Sequence, residues 1–94
     1  MDNVKKASAD YFYRSLVSLK NVEEAETFFK IFCTDKETQL IAQRLYVSKM
    51  LSENYVYSEI VETTGASSAT VSRVKRAMDI DRDFFEKLLG QLNG

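Results

Sequence analysis

The sequence has 94 residues, of which 45% are hydrophobic and 29% charged, and its formal net charge is -1. This composition predicts one globular domain over residues 1–94, and it argues against a disordered chain or one that coats nucleic acid by bulk positive charge. The sequence contains no histidine, which excludes most zinc sites and histidine-dependent acid–base catalysis. Because there is no proline and few segments alternate in polarity, we expect an all-α fold.

Two further features concern the compartment. No signal peptide and no run of 18 apolar residues is present, so the sequence predicts a cytoplasmic protein without a membrane partner. The single cysteine, Cys33, lies within an apolar run. A buried thiol is therefore expected there, rather than a redox or metal site.

Two helices are predicted in the first third of the chain. The first runs from Val4 to about Leu19, and its apolar arc is wide enough to require cover from more than one direction. A capping box formed by Asn21 and Glu24 starts the second helix. The residues of the second helix that we expect to be buried are Ala25, Phe28, Phe29 and Phe32.

The longest predicted helix runs from Asp35 to about Glu53 and opens on a capping box of Thr34 and Glu37. Apolar residues cover much of its circumference, and a chain this short has few other elements to cover them. We therefore expect a second copy of the chain to complete the core as an intertwined homodimer, with a monomer as the alternative. The predicted dimerisation core comprises residues 4–53 and 82–92.

One residue of this helix breaks the apolar pattern. Arg44 lies in the stripe of Leu40, Val47 and Leu51, where a charge is costly unless it is paired or reaches water. Two interpretations are open. The guanidinium group either pairs with a carboxylate at the edge of the helix or points at a ligand or at DNA.

The second half of the chain is predicted to hold a helix-turn-helix. Asn54 is the expected left-handed cap after the long helix. Residues 57–78 follow as two short helices around a tight turn at Gly65–Ser67, whose last residue caps the second helix. A connection at Asp79–Arg82 precedes a last helix, which Asp79 or Asp81 is expected to cap and which we expect to fray at Gly90. The apolar residues of that last helix are Phe84, Phe85, Leu88, Leu89 and Leu92.

The second short helix has two unlike faces. Val71, Val74 and Met78 recur with the helical period and form the inner face. The opposite face is small, hydroxylated and basic, which suits a major groove because hydroxyl and guanidinium groups reach base edges and cations bind phosphates. A solvated helix face is the alternative. The predicted DNA-binding residues are Ser67, Ser68, Ala69, Thr70, Ser72, Arg73, Lys75 and Arg76.

Residues 34–76 together resemble the Trp repressor family. The shared features are a Thr-x-x-Glu opening of the long helix, an arginine at Arg44, a Glu-Ile pair in the first short helix, and the segment Gly-Ala-x-x-Ala-Thr-Val-Ser-Arg from Gly65 to Arg73. The resemblance implies six helices, an interlocked dimer and two DNA-reading units aimed at successive major grooves.

The resemblance also bears on the effector. In family members that bind tryptophan, two arginines flank the ring of the ligand, and these align with Arg44 and Arg73; Thr34 aligns with a residue that lines the pocket. The glycine that leaves room for the ring is replaced here by Val74. Tryptophan is therefore not the expected effector, no cofactor is predicted, and any other effector is open.

These observations predict a sequence-specific transcriptional regulator, more specifically a repressor, that binds a pseudo-palindromic site in double-stranded DNA as a homodimer. The alternative is a protein-interaction module with a degenerate helix-turn-helix, which the near-neutral charge leaves open. An enzyme is not predicted. No nucleophile lies beside a base, there is no glycine-rich phosphate loop, and the acidic residues lie at cap positions.

Overall fold

The computed structural model describes residues 2–93. Over these residues it contains no strand and six helices: α1 (Asp2–Ser18), α2 (Val22–Phe32), α3 (Asp35–Ser52), α4 (Tyr57–Thr64), α5 (Ser68–Ile80) and α6 (Arg82–Asn93). The predicted six-helix, all-α fold is confirmed. Residues 2–36 form one compact unit, and residues 37–93 form a second. None of the described helices combines the length and apolarity that a membrane span requires.

The first unit has rings in contact but no fully buried side chain. The Phe28 ring lies 6.2 Å from that of Phe12 and 5.0 Å from that of Phe32, measured between ring centroids. Ala25, Phe28 and Phe29 were predicted to be buried, and they are half-buried. The prediction that Phe32 is buried is wrong for the single chain, because 71% of this residue is exposed. Two packed helices bury the side chains between them, so a ring at the edge of the contact stays exposed.

The cap of α2 forms as predicted, with one difference. The Asn21 side-chain oxygen accepts a hydrogen bond from the Glu24 backbone N–H at 2.9 Å. The Glu24 carboxylate accepts from the backbone N–H of Lys20, one residue before the cap, at 2.9 Å. At the other end of α2, the backbone leaves the helix at Cys33 in an extended conformation, and Cys33 is half-buried rather than buried as predicted.

The core of the second unit joins α3, α4 and α5. Val47, Ile60 and Val71, one from each helix, have no exposed surface. Met50 and Ala66 complete the cluster, and the residues packed against it are Leu51, Val61 and Val74. This core covers only one side of α3. The apolar residues of α3 that remain between 43% and 53% exposed are Leu40, Ile41, Leu45 and Tyr46.

The end of α3 forms as the sequence predicts. Asn54 adopts a left-handed conformation with φ 66. The backbone N–H groups of Asn54 and Tyr55 donate to Leu51 and Met50, which satisfies carbonyls that the end of a helix leaves open. Lys49 Nζ lies 3.1 Å from a Glu53 carboxylate oxygen, and this hydrogen bond raises the pKa of Lys49.

The boundary between α5 and α6 differs from the prediction. Helix α5 continues to Ile80, so Asp79 lies in its last turn and does not cap α6; Asp81 alone separates the two helices. Helix α6 also continues through Gly90 to Asn93, so the predicted fraying is wrong. A glycine inside a helix costs only about 1 kcal/mol, which neighbouring packing offsets.

Candidate nucleic-acid interface

The reading unit, defined here as residues 57–80, consists of α4, a tight turn and α5. Gly65 ends α4 with φ 75, and its backbone N–H donates to the Val61 carbonyl at 2.9 Å. A side chain would be strained in this left-handed conformation, which explains the glycine. Ser67 then caps α5, because its hydroxyl oxygen accepts from the Thr70 backbone N–H at 3.1 Å. Both predicted turn residues are confirmed.

The turn is closed by two polar side chains. The Thr64 hydroxyl donates to the Ile60 carbonyl at 2.7 Å and accepts from the Ala66 backbone N–H at 3.1 Å. The Gln43 side-chain amide, on α3, donates to the Thr64 carbonyl at 3.1 Å. The role of Gln43 could not be predicted from the sequence, because this hydrogen bond joins residues 21 positions apart.

The predicted DNA-binding residues lie on α5 or at its cap, and most of them face outward. Ser67, Ser68, Ala69, Arg73 and Arg76 are exposed, whereas Thr70, Ser72 and Lys75 are half-buried. Val71 is fully buried on the opposite side of the same helix. Helix α5 therefore has one face fixed in the core and one small, hydroxylated and basic face.

The cations of this face differ in their partners. Among the described residues, Arg73 and Arg76 make no ion pair with a carboxylate. Lys75 pairs with Asp79 at 3.1 Å, and Asp79 also accepts a hydrogen bond from Arg82 at 2.9 Å. The spacing of Lys75 and Asp79, four residues apart on one helix, is a sequence signal that could have revealed this pair. The guanidinium groups of Arg73 and Arg76 are thus the cations most available to an anion.

A groove of about 350 Å³ lies beside α5 within the second unit. Arg44 and Arg73 both line it, as does Val74, so the structure brings three of the four predicted pocket residues together. The fourth, Thr34, belongs to the first unit. Arg44 is exposed and makes no ion pair within the described chain, so it is not paired at the helix edge. The apolar lining comprises Ile41, Leu45, Val74, Ala77, Phe84, Phe85 and Leu88.

The six helices, the capped turn and the basic outer face of α5 define a helix-turn-helix protein of the DNA-binding regulator class. The family described as Trp repressor protein matches residues 7–93 of the chain. The chain belongs to the Trp repressor family.

Similar proteins come from several bacteria. YerC, an uncharacterized protein of Bacillus subtilis (strain 168), is 41% identical over 92 residues, which cover 98% of this chain and 88% of YerC. The crystal structure of a TrpR-like protein from Eubacterium eligens has a TM-score of 0.87 and 35% identity, covering 99% of this chain and 96% of its own. The crystal structure of a candidate Trp repressor from Staphylococcus aureus has a TM-score of 0.85 and 39% identity. The match covers 93% of this chain and 87% of the Staphylococcus aureus chain.

Proposed function

We propose that this protein is a transcriptional repressor that binds a pseudo-palindromic site in double-stranded DNA as a homodimer. The observation that carries the proposal is the division of α5 into a buried face at Val71 and an exposed face with Arg73 and Arg76, which make no ion pair with any described residue. A face of this kind presents hydroxyl groups and guanidinium groups to a groove while the core holds the helix in place.

The residues of the reading unit would have separate roles. In helix-turn-helix proteins, the first residues of the second helix meet base edges. Those residues here are Ser68, Ala69 and Thr70, which are small enough for the helix to approach the bases closely. Arg73 and Arg76 follow on the same side of the helix and would bind bases or phosphates. Lys75 would bind a phosphate in exchange for Asp79, since an exposed ion pair contributes at most about 1 kcal/mol.

The homodimer is supported by the apolar surface that one chain leaves uncovered. Helices α1 and α2 bury no residue, and Phe32 is 71% exposed at the edge of the phenylalanine cluster. The uncovered side of α3 adds Ile41 and Leu45. Monomeric proteins rarely expose apolar surface on this scale, so a second copy of the chain is the proposed cover. The two reading units of this dimer would then meet half-sites about one helical turn of DNA apart.

Replacing Phe32 by alanine should weaken this dimer by at least tenfold. In the free chain the exposed ring contributes little, whereas burial of a phenylalanine in a dimer core contributes on the order of 3 kcal/mol or more. Sedimentation over a range of protein concentrations measures the dissociation constant. Lys30→Ala, on the opposite face of α2, is the control and should leave it unchanged. A wild-type protein that sediments as a monomer at micromolar concentration would contradict the proposed dimer.

The experiment that tests the proposed function is selection of bound DNA from a random library. We expect a pseudo-palindromic consensus, and binding to it should weaken steeply between low and moderate salt because neutralised phosphates release counterions. Failure to enrich any sequence would reject the proposal. The protein-interaction module would then be the better interpretation of the fold.

The groove beside α5 is the proposed effector pocket, with Arg44 and Arg73 on its lining. Val74 also lines it and packs against the buried cluster, so its side chain occupies part of the space next to Arg73. We therefore propose that tryptophan does not control DNA binding. Titration with tryptophan should leave the affinity for the selected DNA unchanged, and a tryptophan-dependent increase would contradict this.

A further inference from the structure

We infer that Gln43 is a positioning residue that fixes where the reading unit sits on α3 and thereby contributes to sequence discrimination. This inference rests on the proposed function for its DNA readout, but its structural part stands on one contact. The Gln43 Nε2 group donates to the backbone carbonyl of Thr64 at 3.1 Å. Thr64 is the last residue of α4, directly before the left-handed Gly65.

The carbonyl that Gln43 binds lacks a partner within its own helix. The last carbonyls of any helix have no backbone donor ahead of them, and among the described residues no turn or loop N–H donates to the Thr64 carbonyl. The Thr64 hydroxyl is also committed, to Ile60 and Ala66. Both Gln43 and Thr64 are half-buried, so loss of the amide donor would leave the carbonyl poorly solvated.

The hydrogen bond supplies a direction that the core does not. Contacts among Val47, Ile60 and Val71 hold the reading unit against α3, but apolar contacts are non-directional. Among residues 38–93, all of which the structure describes, the Gln43–Thr64 bond is the only hydrogen bond between residues more than five positions apart. It therefore sets the position of the turn along α3, and the turn in turn sets where α5 begins.

The chemistry of the contact requires a donor on α3. An amide oxygen or a carboxylate facing the Thr64 carbonyl would place two acceptors against each other, so only the NH₂ half of the Gln43 amide fits. Methionine keeps a similar length and removes the donor. Glutamate replaces the donor with an ionised acceptor, which becomes a donor again when the introduced carboxyl group is protonated.

The test compares Gln43→Met with Gln39→Met. Gln39 lies one turn earlier on α3, is exposed and makes no hydrogen bond through its side chain within the described residues, so the two variants change the same chemistry at different places. Two quantities are measured at a temperature well below unfolding. These are hydrogen exchange at the backbone amides of Gly65 and Ala66, and the ratio of affinities for the selected DNA and an unrelated duplex.

For Gln43→Met we expect exchange at Gly65 and Ala66 to be roughly two- to tenfold faster, the range that loss of one hydrogen bond predicts. Exchange within the middle of α3 should not change, which separates a local release of the turn from a general loss of stability. The affinity ratio should fall by a similar factor. Gln39→Met should change neither quantity. At neutral pH, Gln43→Glu should accelerate exchange and lower the affinity ratio more than Gln43→Met does. When the new carboxyl group is protonated, both quantities should approach their wild-type values.

Three other results are possible, and each has a definite consequence for the role of Gln43 or for the proposed function. If exchange at Gly65 and Ala66 is the same in Gln43→Met and Gln39→Met, Gln43 does not hold the turn and the inference is overturned. If exchange accelerates but the affinity ratio is unchanged, Gln43 holds the turn without contributing to discrimination, and the positioning role is overturned. If wild-type protein binds no DNA, the proposed function fails, while the exchange data alone still establish or reject the contact.

Discussion

Replacement of Arg76 by alanine should lower the affinity for the selected DNA by about five- to 150-fold at fixed salt, since a good arginine contact with a base contributes about 1–3 kcal/mol. Arg76 tests the exposed, basic face of α5 more directly than Arg73 does. Both are exposed and form no ion pair within residues 2–93, but Arg73 also lines the groove beside α5, so its loss would change two surfaces at once. Equilibrium binding to a labelled duplex measures the change.

The matched control for this prediction is Arg14→Ala. Arg14 is an exposed arginine on α1 that pairs with Asp10 at 2.9 Å, and its removal changes the net charge of the chain by the same amount. An effect of bulk charge would appear in both variants, whereas a contact with DNA appears only in Arg76→Ala. Equal affinity of Arg76→Ala and wild type would show that the exposed side of α5 is not the reading face.

Ile60→Ala should destabilise the second unit by about 2–5 kcal/mol, the range measured when large apolar side chains are removed from a core. Ile60 has no exposed surface and joins α4 to the cluster that contains Val47 and Val71. Helix α4 has only 8 residues, too few to be stable by itself, so its position depends on this contact. Urea unfolding at one fixed protein concentration measures the loss.

Ile80→Ala makes the same chemical change at the exposed end of the same reading unit. Ile80 is 81% exposed, so its truncation should change the free energy of unfolding by no more than about 0.5 kcal/mol. The contrast between the two isoleucines tests the core directly. If Ile60→Ala costs no more than Ile80→Ala, the reading unit is not anchored on α3 through Ile60.

The parts of the fold that follow local rules could be predicted from the sequence. Asn21, Gly65 and Ser67 occupy the helix ends that their residue types indicate, and Asn54 has the left-handed conformation expected of it. Each of these features depends on contacts within a few residues, so a short window of sequence contains the whole cause. The α5–α6 boundary was harder to predict, because helix ends fray and a sequence pattern places them only to within about one or two residues.

The role of Arg44 could not be decided from the apolar pattern of the helix alone. Its place in an apolar stripe marked it as unusual, but the stripe was equally compatible with an ion pair and with a ligand site. The structure places it on the lining of the groove beside Arg73 and gives it no carboxylate partner among the described residues. Phe32 was predicted to be buried but is exposed in the single chain. Helical spacing predicts which residues form an inner face, but it does not show whether the same chain has anything to cover that face.

The sequence by itself determined six helices, the capped turn and the unlike faces of α5, because periodicity and capping act over one or two helical turns. Only the tertiary structure decided that Gln43 on α3 holds the carbonyl at the end of α4, that Arg44 and Arg73 share a groove, and that Phe32 remains exposed in one chain. Each of these depends on helices far apart in sequence coming together. Residue spacing along a helix shows which side chains share a face, but the packing of helices decides what each face meets.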